Sequence, residues 1–320
     1  MSTIACVLLV LAAAGTETPQ ADAPTASSWR EQLQPYFKVR FGYYFDSEDR
    51  SNAFYLEKLY LGATIKVSEE VTFCGRAQFS QDGVYAKRAC LRWQPLEGGG
   101  HVTLGIHADA YIEYAEEAWG LRFVRRILPD DVSAWPETDL GVSYTYTAGE
   151  CSYSLRVVNG EGYKHTEDDK YKGCELAVHL RPSPLAPEWL LPFGIDMMAY
   201  VTRQATADGS DPDETYCALL SWKNERLRLG CEYVLRRTTG IGRGWSVYGV
   251  AAVGERLEVF ARFDTYEPDE SVPANEHRLI MGGIATTRKE GLRFALSWQH
   301  DDNDAAGLTR RLVFSVEMTW

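Results

Sequence analysis

The sequence has 320 residues, a formal net charge of −12, 24% charged residues and 12% aromatic residues. Its mean hydropathy is below zero, which excludes a bundle of membrane helices. The only continuous apolar run, Ile4 to Ala14, is shorter than the roughly 20 residues that a membrane-spanning helix needs.

The N-terminus predicts export from the cytoplasm. The apolar run ends in Ala12-Ala13-Ala14-Gly15, a small-residue cleavage pattern, and a segment rich in Thr, Pro, Ala and Ser follows it. We therefore expect a signal peptide over residues 1–14 and a periplasmic linker over residues 15–34. The start, Met1-Ser2-Thr3, lacks the usual basic residue, and a buried N-terminal helix is the alternative.

From residue 35 onward, apolar and polar side chains alternate along successive short segments. In the first, Phe37, Val39 and Phe41 share one face, while Lys38 and Arg40 share the other. A period of two indicates a β-strand with one apolar and one polar face. Further strands are expected near 53–67, 71–80, 84–94, 100–112, 138–147, 151–159, 171–181, 190–204, 214–223, 226–236, 244–253, 255–266, 276–287, 291–300 and 308–320.

About sixteen such strands of roughly ten residues predict an all-β fold, a transmembrane antiparallel β-barrel over residues 35–320. The last strand ends on Trp320, and a terminal aromatic strand is typical of outer-membrane barrels. Short turns such as Ser68-Glu69 and Asn224-Glu225 alternate with long acidic connections such as 161–170, as in these barrels. No stretch of residues 35–320 predicts a core-facing helix.

The connection from about Glu113 to Glu137, after strand 5, is far longer than the others. A loop of this length is usually functional, and its apolar side chains need a surface to pack on. Folding back into the barrel would provide that surface. An extracellular lid or a partner-binding loop is the alternative.

Assigning the apolar stripe to the lipid side places mostly basic charges inside the barrel, because Lys or Arg facing lipid costs roughly 2–4 kcal/mol. The expected inner cations are Lys38, Arg40, Lys58, Arg76, Arg88, Arg92, Arg156, Arg228, Arg262, Arg293 and Arg311. The expected inner acids are Asp109, Asp196, Glu232, Glu258, Asp264 and Glu317.

A pore constriction is predicted where this basic wall meets the long connection. We expect Arg40, Arg76, Arg88 and Arg92, together with Lys38 and Lys58, to face Glu113, Glu116 and Glu117. Basic residues lining a pore favour anions. The alternative is that these charges are only the solvated face of the strands.

The mature chain has six cysteines, and export makes disulfides possible. Cys74 lies opposite Cys90 in a hairpin that turns at residues 81–83, which predicts a disulfide; Cys151 and Cys174 are a second candidate pair. Cys217 and Cys231 fall on opposite faces and are expected to stay free. The alternative is that all of these cysteines serve only as small polar side chains that fill space.

No motif points to catalysis or to a cofactor. The six histidines are scattered without metal-ligand spacing, and no Gly-x-Ser-x-Gly occurs. Residues 240–244 form a glycine-rich stretch that we place in a loop with no helix after it, so it is not a nucleotide site. We therefore expect no enzyme activity, no cofactor, no metal and no nucleic-acid partner.

The chain resembles Gram-negative outer-membrane porins and is most similar to the phosphate-selective porin O and P family. The resemblance covers about 35–320 and rests on Phe79-Ser80-Gln81-Asp82-Gly83, the Arg-rich strand Lys87 to Trp93, and Val157-Val158-Asn159-Gly160-Glu161-Gly162-Tyr163. It implies a sixteen-stranded, usually trimeric barrel with an inward-folded third loop, conducting small hydrophilic solutes. The acidic outer loops depart from the lysine-rich entrance of that family, so phosphate selectivity does not follow.

The sequence thus predicts an outer-membrane diffusion channel for small hydrophilic solutes and ions that prefers anions. It would contact outer-membrane lipid and lipopolysaccharide and assemble as a homotrimer. A channel specific for an anion or a sugar is a variant of this hypothesis. The alternatives are a plugged barrel whose acidic outer loops bind a partner or divalent cations, and an outer-membrane hydrolase.

Overall fold

The computed structural model describes residues 32–95, 99–165, 171–182, 187–190, 192–202, 213–238, 240–272, 275–286, 291–304 and 307–320. The predicted signal peptide and nearly all of the predicted linker lie outside these residues. The described residues form the strands β1 Leu33–Asp46, β2 Asn52–Lys66, β3 Val71–Ser80, β4 Gly83–Trp93, β5 Gly100–Ala108, β6 Thr138–Ala148, β7 Cys151–Val158, β8 Gly173–Leu180, β9 Phe193–Thr202, β10 Asp213–Lys223, β11 Leu227–Arg237, β12 Ile241–Val253, β13 Leu257–Glu267, β14 His277–Thr286, β15 Leu292–Asn303 and β16 Gly307–Thr319.

These strands form a closed antiparallel barrel in which each strand pairs with its neighbours in the chain. The barrel closes between β1 and β16, where Val39 lies opposite Met318 and Phe41 opposite Val316. Beyond β16, Trp320 exchanges two backbone hydrogen bonds of 3.0 Å with Phe37. The prediction of a sixteen-stranded barrel closed by the terminal aromatic strand is confirmed.

The two faces of the strands differ in chemistry. In β7, Leu155 is 55% exposed and the next residue, Arg156, is 1% exposed. The same alternation places exposed Leu, Val, Ile and aromatic side chains on the outside along most strands. Because the sheet is closed, the buried set is the inner face of the barrel. Each of the six acids expected inside is buried.

Two helices lie between β5 and β6: α1 spans Ala110–Trp119 and α2 spans Leu128–Asp131. The expectation that residues 35–320 contain no core-facing helix was wrong, and β5, expected to run to residue 112, ends at Ala108. Tyr111, Ile112, Ala115, Ala118 and Trp119 are the buried residues of α1. Their spacing of one, three and four is helical, and it is the signal that the strand interpretation overlooked.

Residues 240–244 also differ from expectation. They were expected in a loop, but β12 begins at Ile241, and Gly244 is the register partner of Tyr266 on β13. A Cβ atom on Gly244 would lie 2.4 Å from the carbonyl oxygen of Thr265. The glycine therefore allows close strand approach rather than a turn.

Within the described residues, no helix is long and apolar enough to cross a membrane. No group of three or more His, Cys, Asp or Glu side chains that could hold a metal ion occurs among the same residues.

Candidate pore constriction

The segment of residues 109–137, which contains α1 and α2, packs against the inner face of one side of the barrel. α1 contacts β8 to β11, and α2 contacts β11 and β12. The ring of Trp119 lies 5.0 Å from that of Tyr248 and 6.1 Å from that of Phe260. Trp119 is fully buried, so this wall serves the segment as a hydrophobic core.

Hydrogen bonds hold the same segment to the strands. The carboxylate of Glu232 accepts one from the hydroxyl of Tyr111 at 2.9 Å and one from the backbone N–H of Leu128 at 3.2 Å. Arg262 donates to the carbonyl oxygen of Arg126 at 2.5 Å, and Arg293 to that of Gly120 at 2.7 Å. Buried polar groups on both sides therefore find partners, which fixes the position of the segment.

Local sequence explains why α1 begins and ends where it does. The side chain of Asp109 accepts hydrogen bonds from the backbone N–H groups of Tyr111 and Ile112. Its second oxygen accepts one from the indole of Trp135, which ties the two ends of the segment together. Gly120 ends the helix in the left-handed region at φ 70°, where a residue without a side chain is favoured.

The opposite wall, formed by β1 to β4, has eight lysines and arginines and two acids. Two β-bulges shape this wall. The register between β1 and β2 shifts after Arg40 and leaves Glu57 as an extra residue on β2. The register between β3 and β4 shifts after Arg76 and leaves Lys87 as an extra residue on β4. A bulge allows two consecutive side chains to leave strict alternation. Both members of each consecutive pair therefore contact inner-face groups or lie buried. The pairs are Glu57 with Lys58 and Lys87 with Arg88.

Arg122, from the segment of residues 109–137, connects the two walls. Its guanidinium contacts Glu57 of β2 at 3.1 Å, Glu116 of α1 at 2.6 Å and Asp130 of α2 at 2.9 Å. The residue is 6% exposed. Burial alone would lower the pKa of Arg122, but the neighbouring carboxylates raise it well above the ordinary value. Arg122 was not among the constriction residues expected from the sequence.

Glu137 forms a second contact between the segment and the basic wall, through an ion pair with Lys87 at 2.8 Å. Burial would raise the pKa of Glu137, but Lys87, Lys58 and Arg122 outweigh it and hold the pKa well below its usual range. Glu137 is therefore ionised at neutral pH. Neither Lys87 nor Glu137 was among the constriction residues selected from sequence.

The structure brings together some of the residues that were expected to face each other. Arg88 and Glu113 form an ion pair. Glu116 instead contacts Arg122, and Glu117 contacts Lys223 of β10 at 2.9 Å. The hydrogen bond from Lys223 lowers the pKa of Glu117.

The remaining cations expected at the constriction have other surroundings. Lys38 and Arg40 pair with Glu317 at 3.4 and 2.8 Å, because β16 lies beside β1. The guanidinium of Arg76 lies 3.7 Å from the ring centroid of Tyr36. Lys58 is buried and Arg92 is exposed.

The cysteines of the described residues all carry free thiols. Cys74 and Cys90 are register partners on β3 and β4, as expected, but no disulfide joins them. The pairing of Cys151 with Cys174 was wrong: Cys174 lies opposite Val157, and Cys151 donates a hydrogen bond to the carbonyl of Arg181 at the other end of the hairpin. Cys217 is buried and Cys231 exposed, which confirms that they face opposite sides.

No protein-family model matches the chain, and no curated protein matches it. Solved structures of outer-membrane proteins do resemble it. OprB of Pseudomonas putida gives a TM-score of 0.71 at 8% sequence identity, covering 91% of this chain and 95% of that one. The anion-selective porin from Comamonas acidovorans gives 0.65 at 12% identity, covering 90% and 99%. The trimer form of OmpT from Vibrio cholerae gives 0.64 at 12% identity, covering 90% and 99%.

At these identities the likeness establishes the fold, a barrel of the kind that outer-membrane porins have. Membership of the phosphate-selective O and P family stays a prediction.

Proposed function

We propose that this chain forms a water-filled channel in the bacterial outer membrane through which small hydrophilic solutes and ions diffuse passively. The observation that carries the proposal is the chemistry of the two faces: a closed barrel with apolar side chains outside and charged side chains on its enclosed face. An apolar outer band suits lipid, and an enclosed charged surface suits water and ions. The segment of residues 109–137 narrows the passage and leaves the β1 to β4 wall as its conducting side.

Anion preference follows from the sign of that wall. Strands β1 to β4 contain only two acids, Asp46 and Glu57, and Asp46 already pairs with Arg311. Their cations are Lys38, Arg40, Lys58, Lys66, Arg76, Lys87, Arg88 and Arg92. An excess of basic groups along a narrow passage raises the local concentration of anions. One of the similar structures is described as an anion-selective porin.

The surroundings of the channel are part of the same proposal. The exposed apolar belt would contact outer-membrane lipid and lipopolysaccharide, and part of it would be covered in a homotrimer. Support for the trimer comes from the similar fold of OmpT, which is described in a trimer form. Chemical cross-linking of the purified protein in detergent, followed by mass determination, measures the oligomer directly.

Single-channel conductance in a planar bilayer under a salt gradient tests the proposed function. We expect stable, ohmic steps and a reversal potential that favours anions. Conductance steps with a cation preference would contradict the role of the basic wall, but the proposal of a channel would stand. A folded protein that gives no steps would overturn the channel and favour the plugged barrel with partner-binding or cation-binding outer loops.

A further inference from the structure

A cavity of about 430 Å³ lies beside the proposed constriction, between β2, the second half of the segment of residues 109–137, residues 160–165 and the loop-side ends of β9 to β11. Its volume is within the range of small-molecule sites. Its lysines and arginines come from different parts of the chain: Lys58 from β2, Arg126 from the segment of residues 109–137, Lys164 from residues 160–165 and Arg236 from β11.

Four carboxylates line this cavity, and two of them pair closely with cations that do not line it. Asp130 pairs with Arg122 at 2.9 Å, and Glu137 pairs with Lys87 at 2.8 Å. The cations that do line the cavity are held loosely by comparison. Arg126 lies 3.6 Å from Asp130, Lys164 lies 3.8 Å from Asp82, and Arg236 lies 4.0 Å from Asp213. Among the described residues, Lys58 is the lining cation without a carboxylate at ion-pair distance, so the cavity offers positive charge to a solute at Lys58.

Among these cations, Lys58 has the strongest case for binding an anion. The residue is 5% exposed, and within the described chain its ammonium has no carboxylate at ion-pair distance. Three of its charged neighbours, Arg122, Arg126 and Lys87, have the same sign, and the fourth, Glu137, pairs with Lys87. A buried ammonium without a partner is costly, so an anion that reaches Lys58 from the cavity stabilises the charged form of Lys58 and supplies the interaction that the protein does not.

The rest of the lining suits a solute that also carries hydroxyl groups. Ser133, Thr202 and Tyr200 contribute hydroxyls around the cavity. Such groups both donate and accept hydrogen bonds, as sugar hydroxyls do.

We propose that this cavity is a binding site for a small hydroxylated carboxylate, with the solute's carboxylate on Lys58 and its hydroxyls on the far wall. This inference deepens the proposed channel function and rests on it for the route by which the solute arrives. The site would make Lys58 a specificity-determining residue, because it concentrates such solutes at the narrow part of the passage.

Isothermal titration calorimetry of the folded protein in detergent tests the site without requiring conduction. The probes are sodium gluconate, glucose as the neutral analogue of similar size, and inorganic phosphate. We expect saturable binding of gluconate and none of glucose. Lys58→Met should weaken gluconate binding roughly tenfold or more, since a charge-assisted hydrogen bond is lost, and Lys58→Arg should retain most of it.

The matched control is Lys66→Met, which removes a lysine from the same strand at an exposed position paired with Glu69. It should bind gluconate as the unsubstituted chain does. Absence of saturable gluconate binding, or an unchanged affinity in a Lys58→Met protein with unaltered circular dichroism, would overturn the site. Phosphate binding as tight as gluconate would overturn the hydroxylated carboxylate as its solute.

Bilayer conductance in potassium chloride separates this site from the proposed channel. Conductance without gluconate binding would remove the site and keep the channel. Gluconate binding that depends on Lys58 in a protein without conductance would keep the site and remove the channel.

Discussion

The two walls of the barrel use charge in different ways. Along β7 to β13, buried charges pair within the wall or with the segment of residues 109–137: Arg156 with Glu175 at 3.1 Å, and Arg262 with Asp264 at 2.7 Å. Along β1 to β4, cations outnumber acids, and Lys58 has no ion-pair partner in the described part of the chain. The first wall works as a core for the segment, and the second is left for solutes.

Removing the aromatic contact on the packed wall should have the largest effect. Trp119→Ala deletes a fully buried ring packed on Tyr248 and Phe260, and such a change costs about 3–5 kcal/mol. Urea unfolding in lipid vesicles should show this loss. Trp189→Ala, at a position 70% exposed, is the control and should change the unfolding free energy little. Equal losses in the two variants would mean that α1 is not packed as described.

Arg122 ties the segment of residues 109–137 to β2. Arg122→Met leaves Glu57, Glu116 and Asp130 without their shared cation, and removing one partner of a buried ion pair costs about 3–5 kcal/mol. The variant should also show noisier single-channel current, because the segment loses its tie to β2. Lys66→Met, which breaks an exposed pair, should cost less than about 1 kcal/mol. An Arg122→Met variant with quiet single-channel current and unchanged stability would contradict this role of Arg122.

The ion pair between Glu137 and Lys87 predicts a pH dependence. The pKa of Glu137 is lowered in the folded protein, so its contribution to stability is complete above the ordinary glutamate pKa of about 4.3 and is lost as the pH falls below it. Unfolding free energies measured from pH 7 down to about pH 3 should decline more steeply for the unsubstituted chain than for Glu137→Gln. Parallel declines would show that this carboxylate does not titrate as proposed.

Charge substitutions at the ion pair between α1 and the basic wall should have the smallest effect on stability but a clear effect on selectivity. Arg88→Gln removes a cation and should shift the reversal potential toward cations, whereas Glu113→Gln should shift it toward anions. Both variants delete the same ion pair. A change in the reversal potential that they share is therefore caused by loss of the pair, and a change of opposite sign is caused by the altered charge of the wall. Identical shifts would contradict an electrostatic role for this wall.

Two sites that were not predicted from the sequence nevertheless carry a local sequence signal. Glu57-Lys58 and Lys87-Arg88 are consecutive charges on strands, and strict alternation would turn one of each pair to lipid at a cost of roughly 2–4 kcal/mol for a cation. That cost predicts a β-bulge, and the structure has one at each place. The contact of Arg122 with Glu57 has no comparable signal, because these two residues are 65 positions apart in sequence.

The sequence by itself determined the barrel, its sixteen strands, the closing strand at Trp320 and the faces of most side chains. These depend on a period of two and on the cost of charge in lipid, both of which are local properties. Only the tertiary structure decided that α1 packs against β8 to β11, that Cys151 lies far from Cys174, and that Lys58 lines a cavity without an ion-pair partner in the described chain. Each of these depends on strand register and on where a long connection settles, and no local pattern encodes the meeting of residues from distant strands.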